Sequence, residues 1–143
     1  MNRSAKPTDD GARDGAPANQ PGVFIVDDDQ SARDSLKWLI TNLDFPVEAF
    51  ESAELFLESV SPEQPGCLIL DLQMPKMDGF QLLHEMKARA YKMPVIMITG
   101  HGDWETGTRA KQAGAMAYLE KPYDDEDVLF FVKKALAEQG RDG

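Results

Sequence analysis

Three aspartates, Asp27, Asp28 and Asp29, follow directly on the apolar run VFIV, and a fourth, Asp71, closes a second apolar run, CLIL. A threonine, Thr99, ends the run PVIMIT, and a lysine, Lys121, follows AMAYLE. Like charges crowded together repel unless a cation sits among them. Oxygen ligands alone suit Mg²⁺ or Mn²⁺, and Mg²⁺ usually takes one or two carboxylates together with waters and phosphate oxygens. A site of this kind therefore implies a phosphate-bearing ligand. An aspartate within it can be the nucleophile, forming an acyl phosphate. Lys121 and the Thr99 hydroxyl are the groups to neutralise and hydrogen-bond the phosphoryl oxygens.

These residues are far apart in the chain, so the elements between them must bring them together. From Gly22 onward, short apolar runs alternate with amphipathic segments: VFIV then ARDSLKWLITNL, FPVEAF then SAELFLESV, CLIL then GFQLLHEMKARA, PVIMIT then WETGTRAKQAG, AMAYLE then DDEDVLFFVKKALAEQ. Five strand-plus-helix units predict an α/β fold with a parallel sheet covered on both faces. Five are too few for an eight-stranded barrel, so the expectation is an open, doubly wound, flavodoxin-like (βα)₅ sheet with strand order 2-1-3-4-5. Function in such a sheet belongs at the carboxyl ends of the strands, near the reversal of strand order. The strand ends are where the aspartates, Thr99 and Lys121 fall. Residues 1–21 lack Leu, Ile, Val, Phe, Trp and Tyr and balance three basic residues against three aspartates, which reads as a disordered tail. Residues 22–139 form the domain and 140–143 a short C-terminal tail.

Asp27-Asp28, the run DLQMPKMDG from Asp71, TG at Thr99 and the pair Lys121-Pro122 together resemble the receiver domain of two-component response regulators. The resemblance covers Val23 to about Leu136, and the segments TGHGD and EKPYD are most similar to the FixJ-like branch. It implies that Asp71 accepts a phosphoryl group from a sensor histidine kinase or a phosphotransfer protein. It also implies that Asp28, Asp71 and the main-chain carbonyl of Gln73 bind Mg²⁺ (or Mn²⁺) directly, with Asp27 acting through water. Thr99 would hydrogen-bond the phosphoryl group and Lys121 pair with it, Pro122 following a cis peptide. Tyr118 occupies the place of the family's switch aromatic, which moves inward with Thr99. Gln73 and His101 occupy positions that tune hydrolysis of the acyl phosphate. Asp29 is read as a solvated residue or helix cap, and His84 as a surface histidine.

The chain has 143 residues, enough for one domain, and a formal net charge of −10. That charge argues against direct nucleic-acid binding and against adhesion to an anionic membrane, both of which need phosphates to be neutralised. No run approaches the ~18 apolar residues of a membrane span, and there is no signal segment, so the expected location is cytoplasmic. The lone Cys67 cannot form an internal disulfide and is expected in the core. On the last helix the apolar stripe Val128, Leu129, Val132, Ala135, Leu136 leaves Phe130 facing water; on the first, Trp38 points away from the core stripe. Phe130, Tyr118 and Trp104 are expected to form a fourth-helix, fifth-strand, fifth-helix surface for a homodimer or a downstream protein effector, and Trp38 to contact the phosphodonor. After Leu136 only AEQGRDG remains, too little for a helix-turn-helix, so a single-domain regulator acting by protein contacts is expected. The alternatives are a metal-dependent phosphatase or phosphotransferase with an aspartyl nucleophile, a pseudo-receiver that is never phosphorylated, and an FMN binder. The first would usually carry a second acid where Gln73 stands, and the last would need phosphate-binding N–H groups where the carboxylates stand.

Overall fold

The apolar runs VFIV, CLIL and VIMI form strands that are buried on both faces, whereas VEAF and AYLE form partly exposed ones. A computed structural model of the chain describes residues 20–100 and 102–142, and of 139–142 the backbone only. Strand and helix alternate throughout: β1 (Gly22–Val26), α1 (Gln30–Thr41), β2 (Val47–Phe50), α2 (Ala53–Ser59), β3 (Gly66–Asp71), α3 (Gly79–Ala88), β4 (Val95–Thr99), α4 (Trp104–Gln112), β5 (Ala117–Glu120) and α5 (Asp125–Asp142). The five strands form one parallel sheet in the order β2-β1-β3-β4-β5, the doubly wound arrangement expected from the sequence. Helix α5 runs to Asp142, past residue 139 where the domain was expected to end. Extending a formed helix is easy compared with nucleating one, and a single glycine, Gly140, does not stop it. The expected N-terminal tail lies outside the described residues up to position 19.

Because side chains alternate along a strand, the sheet builds two cores. On one face Phe24, Val26, Leu68, Leu70, Val95 and Met97 pack against α2, α3 and α4 through Phe56, Leu82, Met86 and Ala110. On the other, Val23, Ile25, Cys67, Ile69, Ile96 and Ile98 pack against α1 and α5 through Leu36, Ile40, Val128, Val132 and Leu136. Cys67 is fully buried, and that burial pushes its thiol up to about 12, which makes it an inert core residue. Among the described residues, no helix is long and apolar enough to cross a membrane.

Each of the first four helices begins on a side-chain cap that accepts a main-chain N–H: Asp29 for α1, Ser52 for α2, Asp78 for α3 and Asp103 for α4. Asp78 and Gln81 form a reciprocal capping box. The caps fix where each helix departs from its strand end, and so the loops that carry the candidate site.

Candidate functional site

Strands β1 and β3 are neighbours in register, with Val26 opposite Leu70, so the residues that follow them, Asp27 and Asp71, emerge side by side. This is the reversal point of the strand order. One carboxylate oxygen from each of Asp27, Asp28 and Asp71 falls within a group 4.8 Å across. Asp27 is 2 % exposed and Asp71 7 %, whereas Asp28 is exposed. The cluster is thus walled on two sides and open on the third.

The immediate surroundings hold the carboxylates in place. The amide of Asp29 donates to Asp27 Oδ1 at 2.9 Å, and Lys121 Nζ lies 3.8 Å from Asp27 Oδ2. The amide of Gln73 donates to Asp71 Oδ1 at 3.1 Å. Thr99 is fully buried at the end of β4, and its carbonyl accepts the amide of Lys121 at 2.8 Å, which fixes where the lysine leaves β5. The Lys121–Pro122 peptide is cis, as expected. Gly79 opens α3 hard against the loop below it, where a Cβ would lie 2.8 Å from the Leu72 Cα; the loop carrying Gln73 stays close to the strand for that reason.

Electrostatics follow from this packing. Burial first, and the Asp27 carboxylate second, push the Asp71 carboxyl from its ordinary 3.8 up to about 6, against the Gln73 N–H and Lys121, which pull it down. A carboxylate that ionises reluctantly beside two others is a site short of positive charge. The donor set is all oxygen and the ammonium is only at the edge of contact range, so the residues present fit a hard divalent cation.

Of the residues singled out in the sequence, the fold brings Asp27, Asp28, Asp71, Gln73, Thr99 and Lys121 to this one edge. Asp29 stands apart from the cluster as the α1 cap, accepting the Ala32 amide at 2.9 Å. His101 lies outside the described residues. Tyr118, on β5, turns inward: its ring lies against Gly107 and its hydroxyl against Gly102, next to Thr99. Trp104 (79 % exposed), Phe130 (58 %) and Trp38 (71 %) all face water. Trp38 stands on the α1 side with Leu39, Asp34 and Tyr123, in a groove separate from the α4 surface around Trp104.

Sequence reasoning missed Arg33. Its Nη1 donates to the main-chain carbonyl of Asp27 at 2.7 Å, reaching back from the first turn of α1 to the end of β1. Helical side chains tilt toward the helix N-terminus, so a long cation four residues after a cap is the signal that could have found it.

The model of the response regulator receiver domain matches residues 23–133. The chain is 40% identical over 119 residues to the transcriptional regulatory protein TdiR of Thauera aromatica, covering 83% of this chain and 52% of that one. To the transcriptional regulatory protein FixJ of Bradyrhizobium diazoefficiens it is 36% identical over 114 residues, covering 80% and 56%. The chain spans about half the length of these curated relatives. Among solved structures it is similar to the FixJ N-terminal domain, FixJ-N, with TM-score 0.73 and 35% identity over 83% of this chain and 95% of that one. The response regulator StyR superposes with TM-score 0.79 at 40% identity, over 85% of this chain and 62% of that one. With a match across 23–133, a sheet of order 2-1-3-4-5 and an acidic cluster at its reversal point, the chain belongs to the response regulator receiver domain family, near its FixJ branch.

Proposed function

We propose that this receiver domain takes a phosphoryl group onto Asp71 in a reaction dependent on Mg²⁺ or Mn²⁺. The observation that carries the reading is the convergence of Asp27, Asp28 and Asp71 with Lys121 at the one sheet edge where the strand order reverses. Asp71 Oδ attacks the phosphorus of a phosphohistidine on a sensor kinase or phosphotransfer protein; the P–N bond breaks as the O–P bond forms, and the imidazole leaves with a proton. Asp28, Asp71 and the Gln73 carbonyl would hold the cation, and Asp27 would act on it through water. When bound, the cation neutralises the phosphoryl oxygens and orients them for in-line transfer.

Lys121 is placed to swing from Asp27 to the phosphoryl group, a short movement from a contact that is already loose at 3.8 Å. Thr99 takes a hydrogen bond role at the same oxygens, and its shift is coupled to Tyr118, which lies next to its methyl group across Gly102. Gln73, two residues after the nucleophile, and His101 tune hydrolysis of the acyl phosphate. The signal leaves the domain through protein contacts of the α4-β5-α5 surface bearing Trp104, Tyr118 and Phe130, as a homodimer or onto an effector.

The deciding experiment is incubation with acetyl phosphate and Mg²⁺, followed by intact mass, beside an Asp71→Asn variant. One phosphoryl group gained by the parent chain alone supports the reading. No gain, or equal gain in both, overturns it.

A further inference from the structure

The acid cluster receives a second positive group that touches none of its carboxylates. Arg33 Nη1 donates to the Asp27 main-chain carbonyl at 2.7 Å, a short, charge-assisted bond at a partly buried position. The bond holds the peptide unit that joins Asp27 to Asp28, and that unit needs holding. Asp27 has one carboxylate oxygen on the Asp29 amide and the other near Lys121, and Asp71 is held by the Gln73 amide. Asp28, exposed between them, has no side-chain hydrogen bond to any described residue. Its direction is therefore set by its own backbone, which is pinned on one side by the Asp27 carboxylate at the Asp29 amide and on the other by Arg33 at the Asp27 carbonyl.

We infer that Arg33 is a positioning residue for the cation site: it sets the Asp27–Asp28 peptide so that the Asp28 carboxylate faces Asp71. The inference rests on the cation site proposed above. Its chemistry suits the task in two ways. A guanidinium on a carbonyl adds positive charge beside three carboxylates while leaving their oxygens available to a metal, which an ion pair would not. And a cation in the first turn opposes the helix macrodipole, so α1 gains nothing from Arg33 as a helix residue. The turn is anchored without it, by the Asp29 side chain on the Ala32 amide and by the Arg33 amide on the Asp29 carbonyl at 3.0 Å. A lysine keeps the charge and loses the rigid planar fork.

The test is Mg²⁺ titration of the full chain by calorimetry for the parent, Arg33→Ala and Arg33→Lys, at low and high salt, with the Asp28 amide followed by NMR in metal-free protein. Removal of a residue that orients a ligand typically weakens metal affinity about 10-fold or more. The expected result is a loss of about that size in Arg33→Ala, persisting at high salt, not restored by lysine, and accompanied by a displaced Asp28 amide signal. Acetyl phosphate labelling should recover at saturating Mg²⁺, since the nucleophile is untouched. Unchanged affinity, full restoration by lysine, or an effect that vanishes in high salt overturns the assignment, the last two by reducing Arg33 to a diffuse charge. If Arg33→Ala fails to fold, Arg33→Lys decides alone: parental affinity overturns the inference, and a severalfold loss supports it. A parent chain that binds no Mg²⁺ overturns the site reading itself, whereas equal binding by parent and variants removes only the role of Arg33.

Discussion

The hydroxyl of Tyr118 fills the space that any side chain at position 102 would need: a Cβ built on Gly102 would collide with it. The ring is flanked in turn by Gly107 on α4, where a Cβ would lie 3.2 Å from the ring edge. The hydroxyl is buried close to the Asp103 main chain, without a bond of good geometry to any described residue. The inward position is held by packing against the two glycines and opposed by desolvation of the hydroxyl. Gly102→Ala should therefore expel the ring. With 3-fluorotyrosine incorporated, the Tyr118 resonance is expected to move to a solvent-exposed shift in Gly102→Ala and to stay put in a remote control such as Gln112→Ala. An unmoved resonance would show that the loop, rather than the ring, gives way.

Asp71 carries a penalty in the metal-free chain. Its carboxyl titrates near 6 in the fold against an ordinary 3.8, so the folded state holds its proton more tightly than the unfolded state does. Stability from this group falls as pH rises from about 4 through about 6, and stays lower above that. Asp71→Asn should stabilise the metal-free fold at pH 7 by on the order of 1–2 kcal/mol, discounted for solvent at the open side of the site, and by nothing near pH 3.5. Urea unfolding of both proteins at the two pH values checks this. A gain that is the same at both would show that charge is not its source.

The same titration competes with the cation, since a metal takes the ionised carboxylate. Mg²⁺ affinity is expected to fall about tenfold between pH 7 and pH 5, with most of the fall below pH 6. Binding near pH 6 should release protons, seen as a dependence of the calorimetric enthalpy on the buffer's ionisation heat. Affinity that is flat across this range would place the cation away from Asp71.

The strand ends could be read from the sequence because burial on both faces demands uninterrupted apolar runs, and the central runs stop at polar residues, Asp27, Asp71 and Thr99, which stay buried only where the strand ends supply them with partners. The order of strands then brought those ends together. Aromatic exposure was legible for the same reason, since Phe130 and Trp38 break the helical stripes of α5 and α1. What escaped were contacts made by long or rotatable side chains. Arg33 has the spacing of an ordinary helix-surface residue, and only its place four residues after the Asp29 cap hints that it reaches back to the Asp27 carbonyl. The 3.8 Å approach of the Lys121 ammonium to Asp27 is another contact of a long, rotatable side chain. The fit of the Tyr118 hydroxyl against Gly102 joins residues 16 apart in the chain, which no periodicity encodes.

Phe130 on α5 and Trp38 on α1 are the exposed aromatics expected to anchor two different partners. Phe130 packs edge-on to Phe131 at 5.1 Å between centroids, so its ring is pre-ordered while more than half of it remains in water. Trp38 borders a groove with Leu39 and Tyr123, whose phenol is pushed up by burial, then by Asp125 and then by Asp27, so the groove lies within electrostatic reach of the acid cluster. Aromatic anchors of this kind can each account for 2 kcal/mol or more of binding, about 30-fold in affinity. Phe130→Asp should weaken phosphorylation-dependent self-association by at least that factor in sedimentation velocity, with acetyl phosphate labelling and thermal stability unchanged. Trp38→Ala should leave both self-association and acetyl phosphate labelling unchanged, while slowing transfer from a phosphorylated protein donor. If both variants self-associate and accept phosphoryl groups from the protein donor at parental rates, neither aromatic is an anchor and their exposure is incidental.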